Sequence, residues 1–141
     1  MTTNETDANE TTANRQLLER VFAGLAAGDS RPFVDSMADR FSWTISGMTS
    51  WSRTYSGKQA VLDELFPILR ARLANPIRIG PQRFLAEGDR VVVEARGENT
   101  SKSGIPYRNC YCFIFRVAGG ELVELTEYMD TRLAGEVLGD P

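Results

Sequence analysis

The chain has no histidine, only two cysteines and no cluster of basic residues in its 141 positions. Without histidine it lacks the commonest metal ligand and the usual general base, and no Ser–His or Cys–His nucleophile pair can form. Acid–base chemistry therefore falls to carboxylates, with Tyr, Lys and Cys as weaker alternatives. Cys110 and Cys112 alternate on one predicted strand and so share a face. Two thiols are too few for a structural zinc site, and neighbours on one strand are badly placed for a disulfide. They read as small hydrophobes, buried or at an interface, in a reducing cytosol, and a cytoplasmic location is expected. No metal and no cofactor is expected. The formal net charge of −3 argues against a nucleic-acid partner. No apolar run approaches the length of a membrane span, and residues 1–12 lack the apolar stretch of a signal peptide.

What is present suits one globular domain: 42% hydrophobic and 25% charged residues on a chain long enough for a single core. Residues 1–12 are polar and are expected to form a disordered tail, leaving 13–141 as the domain. Leu17, Leu18, Val21, Phe22 and Leu25 recur at helical spacing, and Gly28 stops the helix. A second short helix follows, capped by Asp29 or Ser30, with Pro32 in its first turn. Phe41 to Ser46 reads as a strand, and 47–57 as a loop carrying Trp51 and Tyr55. Val61, Leu62, Leu65, Phe66, Leu69 and Leu73 predict a third, long helix, with Pro67 kinking it. Beyond Pro76 the period becomes alternating, and four strands are predicted near 77–86, 90–100, 107–117 and 121–130. Helices first and a meander last predict an α+β fold, with a curved antiparallel sheet wrapped around the long helix and two shorter N-terminal helices.

The strands near 90–100 and 121–130 carry Arg96, Glu98 and Glu127. Pairing Val117 with Glu121 across the Ala-Gly-Gly loop sets Tyr111 opposite Glu127 and Asn109 opposite Met129. A turn near Ser103 then sets Arg96 opposite Tyr111 and Glu98 opposite Asn109. With strands about 4.8 Å apart, Arg96, Tyr111 and Glu127 form one row on the apolar side, shared with Phe113, Phe115, Val123 and Leu125. An arginine between two buried carboxylates would hold both and leave one able to accept a proton.

The ordered set GLAAGD (24–29), WTISG (43–47), TYSGKQAV (54–61), VEARG (93–97), YRNCYCFIF (107–115) and EYMDT (127–131) resembles the nuclear-transport-factor-two-like cone, and most closely its SnoaL-like, ketosteroid-isomerase-related members. The resemblance implies a cone-shaped pocket for a small apolar molecule and a homodimer formed through the outer sheet face, where Cys110, Cys112 and Ile114 would lie. The isomerases' oxyanion Tyr and catalytic Asp fall at Val21 and at Thr44 or Ile45, so isomerase chemistry of that kind is not implied. The limonene-epoxide-hydrolase branch uses an acid–Arg–acid triad, which Arg96, Glu98 and Glu127 resemble with Glu at both acids. Its water-holding residues fall at Ser42 and Thr44.

Arg96, Glu98 and Glu127 are accordingly the expected catalytic residues. Trp43, Thr44, Asn109, Tyr111 and Asp130 are the expected substrate-binding positions, Asp130 at the rim or capping a helix. The expected activity is acid–base catalysis on a small organic molecule, epoxide hydrolase-like or isomerase/cyclase-like. The alternative is a non-catalytic ligand-binding or dimerisation module of the same fold.

Overall fold

A computed structural model describes residues 3–74 and 76–141. Helix α1 (Thr3–Ala26) leads into α2 (Arg31–Ser36), β1 (Met37–Ile45) and β2 (Arg53–Ser56). A helical rod follows, built from α3 (Lys58–Ala60), a π-helical turn (Val61–Leu65) and α4 (Phe66–Arg72). Then come β3 (Ile79–Glu87), β4 (Arg90–Gly97), the short β5 (Asn99–Thr100) and β6 (Pro106–Tyr107), β7 (Cys110–Ala118), β8 (Glu121–Met129) and α5 (Thr131–Leu138). The main sheet runs β2-β1-β8-β7-β4-β3, antiparallel except where β1 lies parallel to β8. The fold is α+β, with the helices packed on one face of a curved sheet.

Leu18, Val21, Phe22 and Leu25 point from α1 into the core because they repeat every three to four residues. Phe22 meets Phe84, Phe113 and Phe115 at ring separations of 6.1, 5.6 and 6.0 Å. Burying one such ring stabilises the fold by about 1.5–3 kcal/mol.

Two expectations need correction here. The polar segment expected as a tail is helical from Thr3 onward; Met1 and Thr2 lie outside the described residues. It contains no Gly or Pro to break a helix, and it docks on the β3–β4 turn through polar groups rather than apolar ones. The Asn14 carboxamide donates to Gly88 O at 3.0 Å, and Gly88 N–H donates to Thr11 Oγ1 at 2.9 Å. The stretch expected as a loop over 47–57 includes β2, which pairs Tyr55 with Trp43 on β1.

A kink was expected at Pro67; the structure shows a change of helical register just before it, where the rod widens into a π turn. Pro67 has no N–H, and its ring would strike the carbonyl four residues back. The chain before it takes the π register, with Phe66 N–H bonded to Val61 O. That turn carries Phe66 to within 6.2 Å of Trp43, edge to face.

Candidate functional site

β8 lies between β1 and β7, so its inward side chains meet the middle of the core. Leu125 and Glu127 both point inward, with Glu127 only 6% exposed. Glu127 Oε1 accepts a 2.9 Å hydrogen bond from Trp43 Nε1 on the neighbouring strand, and Oε2 has no partner among the described residues. Burial pushes the carboxyl up to about 7, and the single indole donor only partly opposes that rise. At neutral pH both protonation states are therefore populated.

Glu127 lines a small cavity of about 60 Å³ with Trp43, Tyr107, Tyr111, Phe113 and Met129. Next to it lies a larger cavity of about 250 Å³, almost wholly apolar, walled by Phe22, Phe33, Phe66, Leu69, Phe113 and Phe115. Trp43, Leu69, Ile77, Ile79 and Phe113 line both, so these side chains divide one hollow into two chambers. Glu127 is the single carboxylate among the residues lining either. Tyr111 stacks on Phe113 at 4.9 Å with the rings 13° from parallel. Burial raises the Tyr111 phenol well above its ordinary range and Tyr107 less so, keeping both protonated as donors.

The other expected residues divide. Trp43 faces the hollow, but Thr44 alternates outward and bonds Thr54 Oγ1 at 2.8 Å. Asn109 is fully buried and braces the end of β8: its amide donates to Asp130 O at 3.0 Å and its oxygen accepts from Asp130 N–H at 3.0 Å. Asp130 caps α5, accepting from Leu133 N–H at 3.1 Å. Neither residue lines either cavity, contrary to the expected substrate-binding role; Asn109 reaches the site through Tyr107, donating to its hydroxyl at 2.8 Å.

Arg96 and Glu98 do not join Glu127. The observed register pairs Ala95 with Tyr111 and Arg96 with Cys110, one step from the expected pairing. A one-residue slip turns every side chain to the opposite face, and both groups stand exposed on the outside. There Glu98 pairs with Arg108 at 3.4 Å. Across the other edge, Glu127 faces Phe113 and Tyr111 faces Met129, because the hairpin turns on Gly119-Gly120 and a bulge follows at Arg116/Val117. The two irregularities preserve parity, so Glu127 stays inside. Cys110 is exposed and Cys112 half-buried on the outer face, both as free thiols.

Sequence reasoning missed Trp43 as the carboxylate's hydrogen-bond donor, Tyr107 as a lining hydroxyl, and the second chamber. The inward alternation of Phe41, Trp43 and Ile45 was a usable signal for the first.

A family model described as the SnoaL-like domain matches residues 18–125, most of the chain. The chain belongs to the SnoaL-like family. No curated protein matches this SnoaL-like chain by sequence. Among solved structures it is similar to a nuclear-transport-factor-two-like protein of unknown function from Burkholderia pseudomallei. That pair shares 19% identity at a TM-score of 0.78, over 89% of this chain and 97% of the other. It is also similar to a protein assigned to the SnoaL-like polyketide cyclases from Jannaschia sp. CCS1, at 16% identity and TM-score 0.75, covering 94% and 95%. A third is an epoxide hydrolase of the limonene-epoxide-hydrolase-like type from M. tuberculosis, at 18% identity and TM-score 0.70, covering 92% and 91%. These likenesses establish a nuclear-transport-factor-two-like fold. Among the described residues no helix is long and apolar enough to cross a membrane.

Proposed function

We propose that this SnoaL-like chain is an enzyme that binds a small, mostly apolar organic molecule in the hollow and moves a proton with Glu127. The observation that carries the reading is one buried carboxyl with a pKa of about 7 beside an apolar cavity of about 250 Å³. A general base poised near neutral pH is both available and strong enough to work.

The reaction type best suited is proton transfer at a carbon next to a carbonyl, as in isomerisation or ring closure. Glu127 takes the proton from that carbon, and the electron pair moves onto the carbonyl oxygen. A Tyr107 or Tyr111 hydroxyl donates a hydrogen bond to that oxygen. Glu127 then returns the proton at another carbon, or the carbanion closes a ring on an internal carbonyl whose oxygen takes the proton. Epoxide hydrolysis is less well supported, because it needs a second acid and a cation beside the first, and Arg96 and Glu98 stand outside. The polyketide-cyclase neighbour agrees with the first type.

The test is turnover of a panel of cyclic ketones and epoxides by wild type and Glu127→Gln. A loss of roughly 10²–10⁴-fold with an unchanged circular dichroism spectrum supports the proposal. Undiminished turnover in the variant removes it. A second reading, a ligand carrier without chemistry, is favoured by there being a single carboxylate in the hollow. Ligand recovered unaltered after long incubation would select it. In either case we propose a homodimer joined through the outer sheet face, where Tyr128 is 49% exposed beside Cys112 and Ile114. A monomeric mass by light scattering would exclude that.

A further inference from the structure

We infer that the ligand of the larger cavity carries an anionic group, such as a carboxylate, held at the cavity mouth by Arg70 with Arg78 beside it. The inference rests on the small-molecule reading of the hollow and narrows its substrate class to amphiphilic organic acids.

Three side chains lining the larger cavity are polar: Ser30, Trp43 and Arg70. The Trp43 indole N–H is already used on Glu127. Arg70 is therefore the cavity's single charged lining group, and it is exposed, so it sits where the hollow meets water. It lies one helical turn beyond Phe66, which walls the interior, because residues four apart lie side by side. The long stem can lie against the apolar rim while the guanidinium stays wet.

Arg78 comes close to the same rim at Gly28. Gly28, a lining residue with φ of +79°, is packed so closely that an added Cβ would lie 2.8 Å from Pro76 Cγ and 3.3 Å from Arg78 Cζ. The rim is thus lined by Gly28, Ser30, Pro76 and Arg70, and the Arg78 guanidinium lies against Gly28 just outside that lining. Neither Arg70 nor Arg78 has a carboxylate partner among the described residues. Asp29, adjacent to Gly28 in sequence, is held by Arg31 at 2.9 Å. In a chain with more acidic than basic residues, two unmatched cations at the entrance to an apolar cavity select for negative charge.

The arrangement also keeps two negative charges apart. Glu127 is absent from the lining of the larger chamber, and Trp43, which donates to it, lines both chambers. An acid anchored at the mouth would place its apolar body inward and present its far end toward Glu127. Orientation of this kind is what a nearly featureless apolar wall cannot supply by itself.

The experiment is calorimetric binding of naphthoate and of naphthamide, its neutral analogue of similar shape, to the full chain at low salt. Naphthoate is expected to bind about tenfold more tightly. The Arg70→Gln/Arg78→Gln double variant should lose that preference while its affinity for the amide stays unchanged. Equal affinities in wild type, a preference for the acid that survives in the double variant, or no binding of either compound would each overturn the inference. Glu127→Gln separates the two proposals. If it keeps full turnover yet naphthoate is still preferred, the catalytic reading fails and the anion site stands.

Discussion

Two glutamates three residues apart on β8 have opposite fates. Glu124 faces outward, accepts a hydrogen bond from Arg116 at 2.9 Å and lies 3.5 Å from Arg90. The Arg116 hydrogen bond holds its carboxyl below the ordinary range. Glu127 faces inward, has only an indole for company, and is pushed up to about 7. The residue type is the same and the strand is the same. What differs is the side of the pleat, which gives one carboxyl arginine partners and the other a dry pocket, so that only the buried one titrates near neutrality.

The largest effect that separates them is in stability. The Glu127 pKa is raised on folding, from 4.5 to about 7. A carboxyl raised in this way binds its proton more tightly in the native state than in the unfolded chain. Its penalty is therefore absent below pH 4.5, grows as pH rises, and is complete above about pH 7. A shift of this size corresponds to about 3 kcal/mol. Urea unfolding of wild type should show stability falling across that window, whereas Glu127→Gln should show a flatter profile and greater stability at alkaline pH. Parallel profiles for the two proteins would mean that Glu127 is not buried as a carboxyl at all. Glu124→Gln, by contrast, should leave the fall in that window intact.

Trp43→Phe gives an intermediate effect. The indole donor is the one influence holding the Glu127 pKa down, so its removal should raise that pKa further. For a carboxylate acting as base, the pH–rate profile then moves to higher pH. Activity lost at neutral pH should return at alkaline pH, which a merely disordered site would not do. Loss of the bond, with a carboxyl oxygen left unpaired, should also cost about 1–3 kcal/mol in stability. A Trp43→Phe profile superimposable on the wild type would show that the Trp43–Glu127 contact has no bearing on proton transfer.

The apolar faces of α1 and of the helical rod, β1, the four later long strands and the inward face of Glu127 were legible in the sequence because hydrophobic periodicity reports them directly. By contrast, β2 and α5 were not read as a strand and a helix. The N-terminal extension of α1 was not, since Thr11 and Asn14 secure it with hydrogen bonds that leave no apolar pattern. The register of β7 against β8 was misread at the turn, but the Gly119-Gly120 turn and the following bulge restored the parity. No such compensation acted between β4 and β7. Their connection includes the small β5–β6 ladder, and a long connection does not dictate which residue opposes which. The strand itself held the better clue: Val91, Val93 and Ala95 alternate with Glu94 and Arg96, and the apolar set went inside.

That alternation leads to the smallest expected effect and the sharpest test of the comparison. If Arg96 and Glu98 lie outside, replacing them removes only exposed groups. Glu98 is 58% exposed and meets Arg108 at 3.4 Å, a separation at which a surface ion pair contributes little. Arg96→Ala and Glu98→Gln should each change stability by no more than about 0.5 kcal/mol and leave turnover untouched. An acid–Arg–acid triad demands the reverse, because breaking it would leave a buried charge unmatched and remove the second proton carrier. A large loss of activity from either substitution would therefore mean that β4 is turned over relative to β7, with Val91, Val93 and Ala95 on the wet side. The apolar content of those three positions weighs against that arrangement, since it would expose the valines and bury three charged groups in their place.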